Sequence, residues 1–154
     1  MKRVSSTLLL LAVLLGTLLA QPSVTDQTVR FQAVDVFIHS KEIPLAAYQL
    51  EFSVKTGDAK VVGVEGGEHS AFRGAPFYDP KAIQHERVII AAFNTTSGDK
   101  LPKGKTRVAT IHLQITKERN PEYTVNLEIA ATLEGRKIVA ETMYEERKIG
   151  RAHV

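Results

Sequence analysis

The most regular feature of the chain is an alternation of apolar and polar residues with a period of two. It recurs in four separate stretches. In residues 34–38, Val34, Val36 and Ile38 alternate with Asp35 and Phe37, and in residues 48–54, Tyr48, Leu50, Phe52 and Val54 alternate with Gln49, Glu51 and Ser53. Ile111, Leu113 and Ile115 are interleaved with Thr110, His112 and Gln114, and Tyr123, Val125, Leu127 and Ile129 with Thr124, Asn126 and Glu128. Successive side chains of a strand point to opposite faces, so each stretch predicts a half-buried β-strand.

Residues 60–64 and 87–93 are instead nearly continuously apolar and rich in Val and Ile. That pattern predicts strands covered on both faces or crossing a core. Weaker strand candidates lie at 28–33 and 137–140. Turn residues separate these segments at Thr56-Gly57-Asp58, Ser97-Gly98-Asp99, Pro102 to Gly104, Asn120-Pro121 and Glu134-Gly135. Short strands at regular intervals with such turns predict an all-β fold: an antiparallel sandwich of about eight or nine strands.

One segment breaks the rhythm, the connection spanning residues 66–86. It contains Gly66-Gly67, Gly74, Pro76 and Pro80, and Asp79 before Pro80 predicts a single capped helical turn. Loops longer than about 12 to 15 residues are uncommon in compact domains and are often functional. This loop is therefore the first place to seek a binding surface.

The amino terminus changes the picture of charge. Lys2 and Arg3 precede an apolar and small-residue stretch at 8–19, and Ala20 offers a small residue for cleavage. This is the pattern of a signal peptide over residues 1–20, and its core is short of the about 20 apolar residues that a membrane span needs. Removing Lys2 and Arg3 from 20 basic residues leaves 18 against 17 acidic ones, so the mature net charge is +1 rather than +3. A nearly neutral domain lacks the basic footprint of a nucleic-acid binder. The cluster Lys100, Lys103, Lys105 and Arg107 reads as a solvated turn. The chain has no cysteine, so an exported domain must rely on its core rather than on disulfides. The expected organisation is a signal peptide at 1–20, one domain at 21–140 and a polar tail at 141–154, rich in Glu, Lys and Arg.

Catalytic chemistry finds little support. Glu65, Glu68 and His69 flank the glycine pair, and Asp79, His85 and Glu86 follow in the same loop, but no ligand pair has the tight spacing of a zinc site. Glu51 and Glu128 fall on outer strand faces, where polar residues are expected in any sandwich, rather than as the paired carboxylates of a glycosidase. Ser70 beside His69 has no nucleophile elbow. Asn94-Thr95-Thr96 matches a glycosylation sequon. Neither catalytic residues, a metal nor a cofactor is assigned. Phe72, Phe77 and Tyr78 carry more weight, because aromatics in a long loop either stack on a ligand or fold back over the open end of the sandwich. The candidate binding residues are accordingly Phe72, Phe77, Tyr78, Glu68 and His69.

The order of these strands resembles that of cohesin-type modules, which share a jelly-roll sandwich with several cellulose-binding modules. Leu45-Ala46-Ala47-Tyr48-Gln49-Leu50-Glu51-Phe52 carries the likeness, followed by residues 89–94, Leu101-Pro102-Lys103-Gly104 and residues 108–115. The likeness covers roughly residues 29–140. Tyr78-Asp79-Pro80 departs from the family pattern by lying far downstream, within the long loop. The resemblance implies a cohesin-like fold in a small exported bacterial protein. The expected function is a non-catalytic module acting outside the cytoplasm, periplasmic or secreted, with a protein partner; a polysaccharide is the alternative, and a hydrolase a third class. No nucleic-acid partner and no membrane insertion after signal cleavage are expected.

Overall fold

A computed structural model describes residues 28–116 and 119–147. The signal peptide read at 1–20 and the last residues, 148–154, lie outside the described part. Eight strands form: β1 (Arg30–His39), β2 (Ala47–Thr56), β3 (Ala59–Gly66), β4 (Phe77–Tyr78), β5 (Arg87–Phe93), β6 (Lys105–Ile115), β7 (Glu122–Ala131) and β8 (Glu141–Arg147). They build two four-stranded sheets, β3-β6-β1-β8 and β4-β5-β2-β7, and every strand pair is antiparallel. Apart from the β4–β5 pair, each consecutive strand changes sheet. The two sheets therefore depend on each other for folding.

The alternating residues meet between the sheets as their pattern requires. Val34, Val36 and Ile38 of β1 and Ile111, Leu113 and Ile115 of β6 are fully buried against Leu50, Phe52, Val88 and Ile90 from the other sheet. Phe52 packs on Tyr123 with ring centroids 5.2 Å apart, and Tyr48 donates its hydroxyl to the Val108 carbonyl at 3.1 Å. Left-handed backbone at Gly57, Gly104 and Gly135 closes three of the expected turns.

Burial pushes the Tyr123 phenol from 10.0 up to about 12, and that of Tyr48 further in the same direction. A raised folded-state value means that the neutral phenol stabilises the fold below the unfolded value and that this contribution is lost as pH rises past it. Urea midpoints should hold steady at neutral pH and fall above about pH 10. Tyr123→Phe should flatten part of that fall, which a pH series of denaturation curves will read.

Two sequence expectations for the carboxyl-terminal part of the domain need correction. Residues 137–140 form no strand: Lys137 makes one isolated bridge to Ala131, and Ile138 turns inward as a buried plug. The polar tail expected from residue 141 instead begins with β8, which pairs with β1 from Ala33↔Arg147 to His39↔Glu141. An edge strand needs only one partner and tolerates a charged sequence, which is why its lack of apolar residues misleads. Among the described residues, no helix is long and apolar enough to cross a membrane.

Candidate functional site

The long loop leaves β3 through Gly66 and Gly67, where the chain has no room for a side chain. A Cβ on Gly66 would lie 2.1 Å from the Arg73 carbonyl oxygen, and one on Gly67 would lie 2.1 Å from that of Arg107. Gly67 N–H donates to the Phe72 carbonyl at 2.7 Å, folding the loop back on itself. Glu68 then clamps it to β6: its N–H donates to the Arg107 carbonyl at 3.1 Å, and its carboxylate accepts from the Arg107 N–H at 3.1 Å. His69 caps the 3-10 turn Ser70–Phe72, its Nδ1 accepting from Ala71 N–H at 3.1 Å. Asn94 Nδ2 donates to the Ala71 carbonyl at 3.0 Å, so the sequon asparagine also holds this turn.

Phe72 is consequently delivered inward. It is only 2% exposed and meets Tyr48 edge-on, with ring centroids 5.3 Å apart. Of the five candidate residues, Phe72, Glu68 and His69 are thus occupied in building the loop. The second turn, Pro80–Ala82, is capped by Asp79 accepting from Lys81 N–H at 2.9 Å, as the sequence anticipates.

Phe77 and Tyr78 form β4, and the alternation of a strand sends them to opposite faces. Tyr78 packs against the core, whereas Phe77 is 68% exposed on the outer face of the sheet. Phe77 stands opposite Ala91, and Phe93 lies two residues further along β5, so the two rings are diagonal neighbours. Their centroids are 6.1 Å apart with planes inclined by 12°, and Phe93 is 65% exposed. Ala91 lies between Ile89 and Phe93 on β5, and Ile89 is also exposed. Across β2, Ala47 and Gln49 lead to Ala131 and the exposed Ile129 of β7.

Several polar groups of this face satisfy one another. Arg87 Nη2 lies 2.5 Å from Glu51 Oε2, and Ser53 donates to the same carboxylate at 3.0 Å. The Arg87 guanidinium holds the Glu51 carboxyl below its ordinary range. Gln49 donates to Glu128. Glu51 and Glu128 thus have separate partners, and the face divides into a paired polar end and an unpartnered apolar end around Phe77 and Phe93. A shallow cleft of roughly 540 Å³ borders the polar end, lined by Asp79, Lys81, Ala82, His85, Arg87 and Ile89.

Among the described residues, no three His, Asp or Glu side chains converge as a metal-ligand set. Phe93, Ile89 and Ile129 escaped selection from sequence. The continuously apolar β5 suggested burial on both faces, but its odd-numbered residues face outward. The signal that could have found them is antiparallel register: pairing 87–93 with 47–53 sets Ile89 beside Glu51 and Ala91 beside Gln49, on the wet face.

Because Phe77 is exposed and its neighbour is another exposed ring, Phe77→Ala should alter unfolding free energy by no more than about 0.5 kcal/mol. Chemical denaturation will check this directly. No family model matches the chain, no curated protein matches it, and no solved structure matches it.

Proposed function

We propose that this chain is an exported, non-catalytic binding module that contacts a protein through the outer face of β4-β5-β2-β7. The observation that carries the reading is the pair of exposed, near-parallel phenylalanines, Phe77 and Phe93, continuous with Ile89, Ala91 and Ile129. Exposed apolar patches bordered by polar residues mark interaction surfaces. Aromatic anchors, once desolvated by a partner, carry a large share of binding energy. The resemblance to cohesins supports a cohesin-like sandwich more than it supports a protein partner, and the signal-peptide pattern read at 1–20 supports action outside the cytoplasm.

A carbohydrate ligand is the second reading, favoured by the 12° inclination of the two rings, which suits stacking on a flat sugar. Two features weigh against it. Phenylalanine presents no polar edge, and the nearby Gln49, Glu51, Arg87 and Glu128 are engaged with one another. A sugar needs hydrogen bonds beside its stacking surface to fix its orientation.

Capture from an extracytoplasmic extract, repeated across salt and calcium concentrations, tests the leading reading beside a glycan array. A specific protein partner with a blank array is the expected result. Glycan binding without a protein partner would favour the second reading.

A further inference from the structure

The last strand differs from the other long strands, and resembles only the two-residue β4, in how it is attached to the domain. None of its seven residues is buried, although β1 beside it supplies Val34, Val36 and Ile38 to the centre of the core. Besides its backbone ladder to β1, β8 is held by polar contacts distributed along its length. Arg147 grips Asp35 through two hydrogen bonds, Nη2 to Oδ1 at 2.7 Å and Nε to Oδ2 at 3.3 Å. Thr110 presents Asp35 for this contact by donating to Oδ1 at 2.7 Å, and Arg107 in turn donates to Thr110 at 2.9 Å. Glu145 meets Lys105 at 2.5 Å, Glu146 accepts from Gln32 at 2.7 Å, and Thr142 donates to the Val125 carbonyl at 3.0 Å. Tyr144 touches Tyr123 edge-on at 5.6 Å.

With no side chain fully buried and only Thr142, Met143 and Tyr144 part-covered, the strand gives up less hydrophobic stabilisation on leaving than a core strand would. Ile138 is buried just before β8 begins and is separated from it by the exposed Val139 and by Ala140. The vacated edge is chemically selective. It offers an aromatic face at Tyr123, a cation at Lys105, an amide at Gln32 and a carboxylate at Asp35. Tyr144, Glu145, Glu146 and Arg147 satisfy these four groups in consecutive positions.

We infer that β8 is an exchangeable strand, whose place on β1 is taken by the β8 of a second copy of this chain. Such an exchange recreates every contact described above between molecules, which makes it a low-cost route to a dimer. The ion pairs set its ease, since salt screens exposed charges.

The absence of native cysteine makes the test clean. Phe37 and Met143 face each other across β1 and β8. Directly opposed strand residues lie within disulfide reach. The double variant Phe37→Cys/Met143→Cys verifies folding and register by forming its disulfide. Phe37→Cys protein is then mixed with Met143→Cys protein under mild oxidation. Exchange predicts a mixed disulfide forming at least about tenfold faster than either same-variant disulfide, because the exchanged strand holds the two thiols together. Equal rates for mixed and same-variant products would overturn the inference.

Hydrogen exchange on the unmodified chain provides a second measurement. Amides of β8 should exchange about two- to fivefold faster in 0.5 M than in 0.02 M sodium chloride while those of β6 are unchanged. Protection of β8 equal to that of β6 at both salt concentrations would likewise overturn it.

Discussion

Phe72→Ala should lower the unfolding free energy by about 3–5 kcal/mol, the largest loss expected from any loop side chain. Phe72 is 2% exposed, joins the main core and contacts the equally buried Tyr48. Removing the ring leaves a cavity between the sheets beneath the turn that Gly67, His69 and Asn94 hold in place. Urea denaturation of the purified variant measures the effect. A loss below about 1 kcal/mol would mean that the ring is not a core element, since surface substitutions fall in that range. The contrast with Phe77, five residues away, is the essential point. One aromatic of the loop belongs to the fold, and another is displayed by it.

Gly67→Ala should cost about 3 kcal/mol or more, at the severe end of overpacking. The added methyl would approach the Arg107 carbonyl oxygen to 2.1 Å and the Val108 Cα to 2.9 Å. Both are backbone atoms of β6, so no side-chain rotation relieves the clash. The start of the loop and β6 must separate, breaking the paired Glu68–Arg107 contacts. Gly74→Ala serves as the internal control, because a Cβ there meets nothing within 4 Å. Thermal melting should show a large fall in Tm for the first variant and almost none for the second. Equal melting points would contradict the close approach.

The central strands were legible from sequence because each face imposes its own composition. Val34 to Ile38, Tyr48 to Val54 and Ile111 to Ile115 alternate since one side meets the opposite sheet and the other meets water. The capped turn at Asp79-Pro80 was equally readable, since its chemistry is local. Features that depend on pairing were not. Whether Ile89 and Phe93 are covered is decided by what lies over the β5 face, and an apolar run carries no information about that. The strand at 141–147 was hidden for a related reason: its order comes from the β1 ladder and from charges on distant β1 and β6. The sequence singles out the loop aromatics as a group. Their division into Phe72 inside, Tyr78 half-buried and Phe77 outside follows from the Gly66-Gly67 reversal and from the two-residue pairing of β4.

Asp35 and Thr110 show how a wet sheet face can carry its own internal order. Thr110 is fully buried although it lies beside Asp35 on the outer face, because Arg107 and Arg147 close over it. Around Asp35 this face is bound up in polar partners, with the exposed Phe31 further along β1, whereas the Phe77–Phe93 end of the opposite face is a stacked pair of exposed rings. The Phe77–Phe93 end is the binding surface proposed above, and one matched comparison tests it most directly. Unaltered protein and the Phe77→Ala/Phe93→Ala variant are used as baits in the same extracytoplasmic extract after their melting curves have been shown to coincide. The account predicts that the unaltered bait retains a specific protein that the variant loses. Recovery of the same protein by both baits, at equal yield, would contradict it.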